Sequence, residues 1–161
     1  MRKAPPGNAQ GGKKVRRSRR SDPRKIEETP SSRLVGKDGE RTLEITVHAP
    51  SPSANQWVYK HWRAYHSIKK AWLDRLTIAT IQHRLALKDP FQRVILHVER
   101  RGIRLLDEDN LVAGLKPIID SLIKLGVVPN DTTDVIESIE TKQVRVPHKI
   151  EQQTTILVIE R

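Results

Sequence analysis

The 161-residue chain contains no cysteine. A disulfide framework, a thiolate metal site and a thiol nucleophile are therefore excluded, and the absence fits a reducing cytosol. No apolar run approaches the length of a membrane-spanning helix. The first residues also lack the apolar core of a secretory signal. The expectation is a soluble, cytoplasmic protein without a membrane partner. Acids are scarce at the start: of the 19 Asp and Glu, only Asp22 falls within residues 1–25, against ten of the 30 Lys and Arg. The net charge of +11 thus belongs mostly to a tail, and the remainder is nearly balanced.

Residues 1–33 combine Pro, Gly, Ser and Asn with the block KKVRRSRRSDPRK and have almost nothing apolar to bury. Such a segment cannot offset its ordering entropy and reads as a disordered basic arm. An arm of this charge gathers phosphates and gives salt-dependent, sequence-independent affinity for nucleic acid. A merely solubilising extension has the same composition. Residues 34–161 read as one domain.

Gly36, Asp38 and Gly39 signal a turn ahead of TLEITVHA, where Leu43, Ile45 and Val47 alternate with Glu44, Thr46 and His48 as in a half-buried strand. Beyond Pro50 and Pro52, a helix of roughly thirty residues is expected. Val58, Trp62, Tyr65, Trp72, Leu73 and Leu76 make its apolar stripe, with Lys60, Arg63, Ser67, Lys70 and Asp74 opposite. Lys60, Arg63 and Lys70 are candidate phosphate contacts, with plain solvation the competing role. His61 and His66, five apart, share no helical face and do not suggest a metal pair. FQRVILHVERR reads as a central strand, apolar on both faces. A second helix starts at Asp109 or Asn110, buries Leu111, Leu115, Ile118, Ile119, Leu122 and Leu125, and stops at Gly126. Pro117 predicts a kink or restart near Lys116. Residues 135–146 read as a strand with a bulge, and TTILVIE as the last strand. The fold class is α/β: a mixed sheet in β-α-β-α-β-β order, with two helices packed on it.

The stretch 105–134 concentrates the acids of the domain. Asp107, Glu108 and Asp109 precede the second helix, and Asp131 and Asp134 follow it. Crowded carboxylates raise each other's pKa and repel, so a fold that gathers both clusters calls for a cation. Asp107 and Asp109 project to one side of an extended or N-cap segment while Glu108 points away. Asp131 can face Asp109 across the site. Oxygen-only ligands select hard ions, Mg²⁺ first and Mn²⁺ as the alternative. Such an ion prepares water for attack on a phosphodiester, and a nearby lysine offsets charge growing on the phosphate. Each residue also has a plainer role: Asp109 as a helix cap, Lys116 with Asp120 as a helical ion pair, Asp131 as a turn residue.

Taken together, these residues resemble the signature of the RusA-type Holliday-junction resolvases, crossover junction endodeoxyribonucleases common in prophages. Asp107-Glu108-Asp109-Asn110-Leu111 is similar to that family's Asp-x-Asp-Asn-Leu. Lys116 and Asp120 stand for its helical lysine and aspartate, Gly126 for its glycine, and Asn130-Asp131 for its Asp-Asp pair. Pro52-Ser53-Ala54-Asn55 resembles its Pro-Ser-x-Asn loop, and the likeness spans Leu43 to Arg161. Two departures stand out. Lys116 lies three residues farther from Asp109 than in the family pattern, and Asn130 replaces the first acid of the last pair.

The resemblance implies a homodimeric, Mg²⁺-dependent endonuclease that resolves four-way DNA junctions by paired symmetric nicks, in recombination and repair. Asp107, Asp109 and Asp131 would be its catalytic and metal-holding carboxylates, and Lys116 a supporting base or phosphate contact. Asp120 and Asn110 would support them, while Arg101 and Arg104 join Lys60, Arg63 and Lys70 as DNA-binding candidates. The alternative is a catalytically weak or inactive relative acting as a DNA-binding scaffold, which the two departures favour. A nuclease for another branched substrate carries the same motif.

Overall fold

A computed structural model describes residues 29–37, 40–58, 60–81 and 89–161. Strand alternation is strongest in β2 (Glu40–Val47), where Leu43, Ile45 and Val47 are fully buried. The same alternation buries Leu96 and Val98 in β3 (Val94–Gly102) and Ile156 and Val158 in β5 (Gln153–Glu160). With β1 (Ser31–Lys37) and β4 (Ile136–Arg145) these strands form one mixed sheet in the order β1-β2-β5-β3-β4. Only the β3–β4 pair is parallel; β1–β2, β2–β5 and β5–β3 are antiparallel. The bulge expected within residues 135–146 is present and lies near the start of β4, since Val94 pairs Ile136 but Ile95 pairs Ser138, leaving Glu137 over.

Among the described residues, three α-helices connect the strands: α1 (Trp62–Thr80), α2 (Glu108–Gly114) and α3 (Lys116–Lys124). Trp72 and Leu76 of α1 and Ile118 and Leu122 of α3 close over the buried strand positions in one core. Each such side chain contributes about 1.5–3 kcal/mol on burial. α1 and α3 lie side by side on that face. Among the described residues, no helix covers the opposite face, onto which Ile95, His97, Glu99 and Arg101 alternate.

The sheet has one strand more than the alternation predicted. Ser31–Arg33, placed in the basic arm, already pair with Thr46, Ile45 and Glu44 of β2, so the arm stops short of residue 33. The strand was hard to foresee because, among its described side chains, Leu34 is the one hydrophobic packed against the core. Residues 1–28 of the arm and Asp38–Gly39 of the turn lie outside the described residues. α1 also differs from the expected thirty-residue helix. A 3-10 turn at Ala54–Gln56 precedes it, it spans 19 residues, and 82–88 lie outside the described residues. Val58 falls before its first turn, so helical spacing does not bury it, and both Val58 and Trp62 are exposed.

The expected restart near Lys116 is where α2 gives way to α3. Pro117 sits in the first turn of α3, where it has no N–H to leave unpaired. Leu115 forms the corner, its N–H bonding three residues back to the Val112 carbonyl at 3.0 Å. α2 itself starts one residue earlier than expected, with Asp107 at the N-cap. α3 ends at Gly126, whose φ of 71° lets its N–H reach Ile123 and the next N–H reach Leu122.

Candidate functional site

The corner between α2 and α3 builds the site. Gly114, just before it, packs against the loop ahead of α1, where a Cβ would stand 2.1 Å from the Pro52 carbonyl oxygen. Glycine is what permits that approach. Lys116 then leaves the first turn of α3 with its Nζ 2.5 Å from Asp131 Oδ2 and 2.9 Å from Asp120 Oδ1. The other oxygen of Asp120 accepts hydrogen bonds from α1, at 2.5 Å from the Tyr65 hydroxyl and 2.8 Å from Lys69 Nζ. Two ammonium groups and two carboxylates thus form a connected, charge-balanced cluster linking α1, α3 and the 129–134 loop.

The surroundings set the protonation states. Burial alone would raise the Asp120 pKa, but the bonds from Lys69, Tyr65 and Lys116 outweigh it and hold the carboxyl at about 2. Burial, then the bond to Asp120, push the Tyr65 hydroxyl well above its usual range. The bond to Asp131, then that to Asp120, raises the Lys116 pKa, and the same contact lowers that of Asp131. A lysine held in its charged form cannot act as a base at neutral pH; it is a hydrogen-bond donor and a fixed positive charge.

The first acidic cluster sits at the start of α2. Asp107, in extended conformation at the N-cap, accepts from Asn110 Nδ2 at 2.8 and 2.7 Å through its two oxygens, and that bond lowers its pKa. Asp109 is exposed in the first turn of α2. Lys116 follows seven positions later, beyond the corner at Leu115. The second cluster is shaped by Asn130, whose side-chain oxygen accepts from the Thr132 N–H at 3.1 Å and from its hydroxyl at 2.5 Å. Asn130 therefore makes the turn that presents Asp131. Hydrogen bonding at the Thr132 side chain lowers the Asp134 pKa.

The donor set suits a hard cation, because every candidate ligand is a carboxylate oxygen. The arrangement does not complete a cage: among the described residues, no three His, Asp or Glu side chains group to hold a metal ion. The convergence expected of Asp107, Asp109 and Asp131 is therefore not formed by the chain alone. In its place the Lys116 ammonium neutralises Asp131 and Asp120.

Of the proposed DNA contacts, Lys60, Arg63 and Lys70 are exposed at or on α1, and Arg104 is exposed beyond β3. Arg101 alternates onto the face of the sheet away from the helices, which sets it apart from the Lys116 cluster. Spacing alone places Tyr65 in the apolar stripe and gives Lys69 no role, whereas both grip Asp120. Their signal was local: four apart on one helix, a hydroxyl and an ammonium share a face, as Lys116 and Asp120 do on the next.

The elements define a two-layer α/β protein with an acid–base cluster at a helix break. No family model matches the chain. No curated protein matches it either. Among solved structures, an OmpA-like domain of FopA1 from Francisella tularensis subsp. tularensis SCHU S4 is similar at 12% identity, over 84% of this chain and 83% of that one, with a TM-score of 0.35. A likeness that loose carries no functional argument. No described helix is long and apolar enough to cross a membrane.

Proposed function

We propose that the protein is a Mg²⁺-dependent endonuclease of the RusA type, a cytoplasmic homodimer that resolves four-way DNA junctions by paired symmetric nicks. The observation that carries this reading is the contact of Lys116 with Asp131. With the helix interrupted between Gly114 and Lys116, the residue read as the signature's lysine lies against the residue read as the aspartate of its last element.

Asp107, Asp109 and Asp131 are the catalytic carboxylates and the residues that would hold Mg²⁺, or Mn²⁺ in its place. Mg²⁺ usually takes one or two protein carboxylates, with substrate phosphates and water as its other ligands. Carboxylates spread along α2 and the 129–134 loop therefore suit an ion that arrives with DNA. When bound, the ion would neutralise phosphate charge and acidify a water. Lys116, held charged by Asp131 and Asp120, donates to the phosphate. Asn110 orients Asp107, and Asp120 orients Lys116. Lys60, Arg63, Lys70 and Arg104 take flanking phosphates, and two copies related by a twofold axis supply the two nicks.

Purified protein, mixed with a synthetic four-way junction and Mg²⁺, is expected to give paired nicks that disappear in Asp109→Asn. Tight binding with no cleavage in either Mg²⁺ or Mn²⁺ would refute the catalytic claim. A second reading, a DNA-binding scaffold without catalysis, is favoured by the Lys116 ammonium already neutralising Asp131. It predicts that neutralising Asp107 and Asp109 leaves DNA affinity intact or tightens it by removing repulsion.

A further inference from the structure

Aromatic side chains are few in this chain, six in all, and five of them, from Trp57 to Trp72, fall within sixteen residues. Trp72 is spent on the core, at 3% exposure, whereas Trp62 leaves 61% of its surface exposed. A single exposed apolar residue needs no explanation. This one is held in place: the His66 ring meets it edge-on at 5.1 Å and 86°, His61 lies 5.4 Å away, and the Arg63 guanidinium stands 5.6 Å over its face. Behind it Tyr65 packs edge-on against Trp57 at 5.0 Å and bonds to Asp120. Two side chains, His66 and Tyr65, with ring centroids 6.0 Å apart, thus link the indole to Asp120 of the cluster that holds Lys116.

Along its own segment the charge has one sign. Residues 45–73 contain no Asp or Glu, but include Lys60, Arg63, Lys69 and Lys70. Lys69 is paired with Asp120, while Lys60, Arg63 and Lys70 are exposed. An exposed indole among cations is the combination that binds nucleic-acid bases by stacking and their phosphates by charge. Duplex DNA hides its base faces in the stack, so a stacking residue gains only where a base is unpaired. A second copy of this chain docking symmetrically here would bring like charges together.

We propose that the start of α1 is a base-stacking platform, on which Trp62 receives a base unpaired at a DNA branch point while Lys60 and Arg63 hold the adjoining phosphates. The inference names the substrate feature read beside the proposed nuclease site, and so rests on DNA being the ligand of that site.

The test is DNA binding measured without divalent ions, so that cutting plays no part. Fluorescence anisotropy would compare wild type, Trp62→Ala and Trp62→Phe on single-stranded DNA, a four-way junction and a blunt duplex of equal length. Stacking predicts a loss of about 5- to 150-fold on single strands for Trp62→Ala, largely restored in Trp62→Phe, with duplex affinity unchanged. The salt dependence should stay as in wild type, because no charge is removed. Trp62→Ala should also relieve the quenching of a 2-aminopurine placed at the branch.

Equal loss on duplex and single strand, or no loss on either, overturns the platform. So does a change from dimer to monomer in sedimentation without a change in DNA affinity, which would make Trp62 an interface between copies. If Trp62 governs binding but no substrate is ever cut, the nuclease reading fails and the platform stands. If junctions are cut and bound as well without Trp62, the platform alone fails.

Discussion

Asp120→Asn removes one charge from the centre of the Lys116 cluster and keeps its shape. In the folded chain the carboxyl sits at about 2 against an ordinary 3.8, and its side chain is 15% exposed. A depression of just under two pH units, at 1.36 kcal/mol each, corresponds to about 2.5 kcal/mol of stability. Because the folded pKa is lowered, that contribution is fully present above about pH 4 and fades as the pH falls toward 2. At pH 7 the variant also leaves Lys69 and Lys116 facing a neutral amide. Urea unfolding followed by circular dichroism should therefore show a deficit of about 2–3 kcal/mol at pH 7, with the slope unchanged. The corresponding drop in melting temperature is on the order of 5–10 °C for a chain of this length. Near pH 2, where wild-type Asp120 is itself half protonated, the gap should narrow. A deficit below about 0.5 kcal/mol at pH 7, within the range of an ordinary surface substitution, would refute the cluster as a charged lock. A gap that persists unchanged into acid would refute its electrostatic origin.

Gly114→Ala should destabilise the fold by about 1–3 kcal/mol in thermal melts, since the new methyl meets the Pro52 backbone at 2.1 Å. A gain from alanine's better helix propensity would instead show that the loop yields freely. Asp131→Asn should lower the Lys116 pKa toward its ordinary value, read from the Nζ resonance by NMR, because Asp131 is the largest cause of the rise. An unmoved resonance would mean that Asp120 alone holds the lysine.

Much of this architecture is carried by near neighbours in the chain. Alternation at Leu43–Val47 and in TTILVIE sets which face of each strand is buried, and Pro117 and Gly126 mark the restart and the end of α3 because their constraints act on their own backbone. The Asp107–Asn110 pair and the Lys116–Asp120 pair lie within one helical turn, and the tail's charge needs no fold at all. β1 was not legible, because a strand with one side chain on the core exists only through its pairing with β2. Nor was the grip of Tyr65 and Lys69 on Asp120, which spans 55 and 51 residues and depends on how α1 lies along α3. Whether the two acidic clusters gather is likewise tertiary: spacing shows that the carboxylates exist, but the path of α2 and α3 leaves no three of them grouped to hold a metal ion among the described residues. Local periodicity could assign Tyr65 and Trp62 to a stripe. Only packing decided that one anchors a carboxylate and the other stands in solvent.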